Sequence, residues 1–89
     1  MKVKELLSDR ERWIQNTMAV NTKGETVRFS DPEACAFCLL GAVYKCYENT
    51  EDYVCIIEDI EEIVERNVGG FNDCSTYEEV MEVVEALNI

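Results

Sequence analysis

The chain has no histidine, one proline and, from Phe29 onward, only two basic residues, Lys45 and Arg66. Without histidine the usual general base is missing, and so are the Ser–His and Cys–His nucleophile pairs. No G-x-S-x-G, Walker A or G-x-G-x-x-G sequence occurs either. A non-enzymatic protein is therefore expected. With only Pro32, four glycines and no Ser- or Pro-rich stretch, there is nowhere to place a linker. Residues 1–89 read as one domain. The longest apolar run, Ala34 to Tyr44, is eleven residues, well short of the roughly 20 a membrane helix needs. Charge breaks up Met1-Lys2-Val3-Lys4-Glu5 at once, which leaves no apolar h-region. Five cysteines without an export signal imply free thiols in a reducing compartment, so a cytoplasmic setting is expected.

What the chain does have is acid. Fifteen Asp and Glu lie beyond Phe29, whereas residues 1–28 hold six Lys/Arg against four Asp/Glu. Almost all of the net charge of −11 thus sits in the last two thirds. Such a balance repels nucleic acid and anionic membrane and favours a basic partner. Leu, Ile, Val and Phe still make up 24 of the 89 residues, about 27%, above the roughly 20% level that signals disorder. The chain folds despite its charge.

Periodicity predicts a mainly helical α+β domain. Val3, Leu6 and Leu7 mark a short N-terminal helix. Thr17, Val20, Thr22, Thr26, Val27 and Phe29 favour strands around Asn21-Thr22-Lys23-Gly24, which predicts a β-hairpin over about 13–29, with strands 13–20 and 25–29. A continuation of the first helix through Val20 is the competing reading, because Trp13, Thr17 and Val20 also fit one helical face. Trp13 is expected as a core anchor beneath the hairpin. Ser30-Asp31-Pro32-Glu33 has the form of a helix start. It predicts a helix over about 32–47, apolar all round and therefore central. A third helix, 51–67, follows the capping residue Thr50. Its core stripe is Tyr53, Ile56, Ile57, Ile60, Ile63 and Val64, and Gly69-Gly70 ends it. Phe71 to Cys74 read as a loop in which Asn72 and Asp73 bond the local backbone. The last helix, 76–87, starts at a Ser75/Thr76 capping box and buries Tyr77, Val80, Met81, Val84 and Leu87.

Two side-chain groups compete as functional candidates. Glu58, Glu61, Glu62 and Glu65 crowd the outer side of the third helix, and Glu78, Glu82 and Glu85 that of the last. Like charges four residues apart repel by roughly 0.2–0.5 kcal/mol a pair and stand about 5–6 Å apart. An array of this kind imitates a phosphate backbone, and its binding to a basic surface is salt-sensitive. The alternative is that the carboxylates only solubilise a structural or homo-oligomeric helical module. The cysteines are the other group. Cys35-x-x-Cys38, with Cys46 and Cys74, would suit a small thiol or zinc protein, but zinc sites take four ligands on knuckle turns. Here the pair falls in an apolar run with Cys35, Cys38, Leu39, Ala42 and Cys46 on one helical face, so core packing is the expectation. No metal or cofactor is expected.

Trp13-x-Gln15, Ala19, Gly24, Ala34, Cys38-Leu39-x-Gly41-Ala42 and Asn72-Asp73 resemble an uncharacterised family of small proteins from actinobacteria and their phages. The resemblance spans most of residues 5–85, with Asn16 where the family tends to have Gly and Asn21 where it tends to have Asp. It implies a shared fold and supplies no activity. It also implies a phage or mobile-element setting, in which small acidic proteins often block host machinery. The functional expectation is an acidic binding protein, in the manner of a phage-type inhibitor, that engages a basic nucleic-acid-binding host protein.

Overall fold

A computed structural model describes residues 1–48 and 50–89. The fold is α+β and mainly helical, in the order α1 (Val3–Leu6), a 3₁₀ turn (Arg10–Arg12), β1 (Ala19–Val20), β2 (Ala36–Phe37), α2 (Leu39–Tyr47), α3 (Asp52–Val64), α4 (Val68–Cys74) and α5 (Tyr77–Leu87). Helix α2 lies at the centre and packs against α1, α3, α4 and β2, while α5 packs on α1 and α3. Val3, Leu7, Leu39, Val43, Ile60, Val68, Val80 and Val84 are fully buried between these elements. Burying a side chain of this size stabilises by roughly 1.5–3 kcal/mol.

The reversal at Asn21–Gly24 forms as the sequence predicts. Asn21 Oδ1 accepts from the N–H groups of Lys23 and Glu25, and Gly24 takes φ +79°. The ladder beyond it differs. Residues 25–29 supply only a Val20–Thr26 bridge, and the antiparallel partner of β1 is β2, with Ala19 opposite Phe37 and Val20 opposite Ala36. This shortens the central helix, which begins at Leu39 and not at 32. The N–H groups of Cys35 and Cys38 donate to the carbonyls of Val20 and Met18 at 2.9 and 3.1 Å. Long-range pairing therefore overrides the local helix signal. The Asp31-Pro32-Glu33 start closes a single turn, Asp31 Oδ1 accepting from Glu33 N–H. Cys35 accordingly leaves the predicted helical face, while Cys38 caps α2 by accepting from Gly41 N–H.

The segment after α3 is also more helical than its glycines imply. Helix α3 ends at Val64, and its left-handed C-cap is Glu65 at φ 56°. Asn67 then caps α4 by accepting from Gly70 N–H at 2.6 Å, so the predicted loop 71–74 is helix. Gly69 and Gly70 sit in its first turn rather than ending the previous helix. Helix α5 has the expected box, Thr76 and Glu79 each accepting from the other's backbone N–H. Ile63, assigned to the core stripe, is 51% exposed, whereas Val83, left out of it, is buried.

Candidate functional site

Several of the residues that carry the family resemblance, among them Trp13, Gln15, Leu39 and Asp73, meet around one buried amide. Asn72 is fully buried, and its Oδ1 accepts from Trp13 Nε1–H at 2.6 Å and from Leu39 N–H at 2.9 Å. Its Nδ2 donates to the Ile14 carbonyl at 3.0 Å and to Asp73 Oδ1 at 3.1 Å. Two acceptor sites and two donors thus all have partners, the full capacity of an asparagine side chain. Gln15 Nε2 donates to the carbonyls of Asn72, Asp73 and Ser75, and Asn16 N–H donates to Asp73 Oδ1 at 2.8 Å. Asn72 and Asp73 do bond backbone, but across some sixty residues of sequence instead of within a local turn.

This clasp joins the 13–16 segment to α4 and to the first turn of α2. Asn16 holds φ 71°, left-handed backbone where glycine is at ease and asparagine is among the few alternatives. That accounts for Asn16 standing where the resemblance expects Gly. Gly41 is fixed by a close approach, since a Cβ there would lie 2.2 Å from the Met18 carbonyl oxygen. Burial pushes the Cys38 thiol above its ordinary value, and the nearby Asp73 adds to this. The backbone N–H groups of Gly41 and Leu40 pull the other way, and the net direction favours the neutral thiol. A small cavity of about 190 Å³ beside Cys38, Asn16 and Asp73 is lined by the clasp itself.

The seven predicted partner-binding carboxylates do not form one array. Glu58 and Glu62 are exposed on the outer side of α3, and Glu65 is exposed at its end. Glu61 is half-buried, and its Oε2 accepts from Val68 N–H at 3.3 Å at the start of α4. Glu78 pairs with Arg10 at 2.7 Å, on the flank of α5 that faces the N-terminal segment. The hydrogen bond from its own backbone N–H, and then the Arg10 guanidinium, hold its carboxyl below the usual range. Glu82 and Glu85 are exposed. Glu61 and Glu78 thus have structural partners, and of the seven, Glu58, Glu62, Glu65, Glu82 and Glu85 have none among the described residues.

Between α3 and α5 runs a groove of about 460 Å³, with Ile63, Val64, Phe71 and Val83 as its apolar lining and Glu79 and Glu82 on the α5 wall. Arg66 also borders it, its Nη2 donating to Cys74 Sγ at 3.7 Å. Sequence reasoning missed this groove because it placed Ile63 in the core and Phe71 in a loop. A half-exposed Ile flanked by Glu62 on an acidic helix was the available signal. A larger concavity of about 710 Å³ lies by Met18, Val27 and Phe29, with Thr17, Thr26, Ser30, Arg28 and Glu48 as its polar lining.

The thiols are dispersed. Cys35, Cys55 and Cys74 are exposed, Cys38 is buried and Cys46 half-buried. Among the described residues no three His, Cys, Asp or Glu side chains stand close enough to hold a metal ion. Nor is any helix among them long and apolar enough to cross a membrane.

Fold and surface together define a small, mainly helical α+β protein with a bonded internal clasp and an acidic two-helix face. The chain belongs to DUF6197, a family of unknown function, whose sequence profile it matches over residues 1–87. No curated protein and no solved structure matches it.

Proposed function

We propose that this is a cytoplasmic, non-enzymatic binding protein whose acidic face over α3 and α5 engages a basic surface on another protein. The observation that carries the reading is the α3–α5 groove, apolar inside and bordered by exposed carboxylates. Ile63, Val64, Phe71 and Val83 together make an apolar patch rimmed by polar residues, the kind of surface that marks interaction sites. Glu58 and Glu62, one turn apart on α3, and Glu82 with Glu85 on α5 supply closely spaced negative charge. That pattern suits a protein whose natural ligand is a polyanion. The partner is a nucleic-acid-binding host protein, and the action is that of a phage-type inhibitor that occupies its nucleic-acid surface.

Affinity capture from a host lysate at two salt concentrations tests this, with each captured protein identified and rebound in purified form. The wild type is expected to hold a basic protein that higher salt releases. The triple variant Glu58→Lys/Glu62→Lys/Glu82→Lys is expected to lose it. Retention by the triple variant, or indifference to salt, overturns the reading.

A further inference from the structure

We infer that the α3–α5 groove takes a basic amphipathic helix of the partner, which sets its apolar stripe against Ile63, Val64, Phe71 and Val83 and its cations against the Glu79 and Glu82 carboxylates of the α5 wall. This rests on the acidic-face reading above and adds the shape of what binds. Both walls are α-helices, so the groove presents no strand edge along its length. An extended segment laid between them would find no ladder of N–H and C=O groups to pair with, unlike a strand added to a sheet edge. A helix brings its own backbone bonds and needs only side-chain contacts, the mode used by helix-in-groove complexes.

The charges select the same occupant. Glu79 and Glu82 line the α5 wall, and Glu62 and Asp59, exposed on α3 outside the lining itself, add to the negative field around it. Arg66, the cation that borders the groove, is held toward α4 through Cys74. An apolar side chain flanked by Lys or Arg thus meets an apolar floor flanked by Glu. A second copy of this chain is disfavoured, because it would bring another −11 against the same carboxylates. Ile63 supplies the exposed apolar contact, at 51% accessible.

Isothermal titration of the full chain with two synthetic helical peptides tests the inference. The peptides have equal length and equal Lys content. One places Leu at i, i+3, i+4 and i+7; the other scatters the same Leu residues around the helix. The patterned peptide is expected to bind at least roughly tenfold tighter, with NMR amide shifts confined to α3, α5 and the Phe71 turn of α4. Ile63→Asn, at an exposed position where folding is kept, is expected to erase that preference. Glu62→Lys/Glu82→Lys is expected to weaken both peptides. Equal binding of the two peptides, unaffected by Ile63→Asn, removes the groove and leaves the acidic face standing. No binding of either peptide overturns both. A mass that doubles with concentration in light scattering replaces the helical partner with a second copy and overturns the inference.

Discussion

The clasp and the acidic face are built in opposite ways. Around Asn72, every polar side-chain atom of the amide has a partner inside the protein, and the bonds reach from residue 13 to residue 75. On the outer sides of α3 and α5, carboxylates face water, and the one ion pair among the described residues, Arg10–Glu78, joins groups that are 65% and 69% exposed. A pair of that kind, screened by water, contributes little to stability. The contrast separates the residues that hold the fold from the surface proposed for recognition. Trp13, Gln15, Cys38, Gly41, Asn72 and Asp73 hold the frame, and the surface that could recognise a partner lies outside that pattern.

The sharpest way to break the comparison is to remove the amide at the centre of the clasp. Asn72→Leu keeps the side chain's size but leaves the Trp13 indole N–H, the Leu39 N–H and the Ile14 carbonyl without their partner. Each orphaned buried group costs about 1–3 kcal/mol. The expected loss is about 3–5 kcal/mol, a large share of the roughly 5–15 kcal/mol that such a domain has. Urea denaturation measures it. A loss under about 1 kcal/mol would show that the clasp is incidental to stability.

A smaller effect concerns two tyrosines that tie the frame to the chain ends. Tyr47 O–H donates to the Ile89 carbonyl at 2.9 Å, and Tyr77 O–H to the Leu7 carbonyl at 2.5 Å. Desolvation raises both hydroxyls above their ordinary value of 10.0. Below that value both folded and unfolded chains keep the proton, and the contribution is complete. As pH rises beyond it, the unfolded chain ionises first, so stability falls until the folded hydroxyls titrate as well. Tyr47→Phe/Tyr77→Phe is expected to cost about 1 kcal/mol per hydroxyl at neutral pH. Denaturation curves at neutral and alkaline pH check the sign, since the double variant should lose less on going alkaline than the wild type.

How much of this could be read from the sequence depended on the range of the interaction that decided each element. The α5 capping box, the Asn21–Gly24 turn and the short first helix are set within a few residues, and all three were legible. The start of α2 was not. Ser30 to Glu33 is a good local helix signal, but Cys35 and Cys38 give their N–H groups to Val20 and Met18, which no local pattern announces. Helix α4 was hidden for a related reason. Its start depends on Asn67 and on a carboxylate seven residues upstream, Glu61, and two glycines argued against it. The acidic character of the candidate site was plain from composition. Its division into free and structurally engaged carboxylates, and the groove between them, required knowing which side of each helix faced its neighbour.

The smallest expected effect sharpens the comparison most finely, because it separates two adjacent residues. Glu62 is exposed, with no bonded partner among the described residues, and repels Glu58 one turn earlier. Glu62→Lys replaces that repulsion by an attraction in the favourable order, acid before base. It should stabilise by up to about 0.5 kcal/mol. Raised salt should shrink the gain, as screening weakens both the repulsion and its replacement. The same change at Glu61 should have the opposite sign, because it removes the acceptor from Val68 N–H at the start of α4. Denaturation midpoints of the two variants at low and high salt decide the matter. Opposite signs at neighbouring positions mean that the acidic helix is part display and part frame, with the boundary between 61 and 62. Equal, salt-dependent gains at both would place Glu61 with the display, and α4 would then owe its start to Asn67 alone.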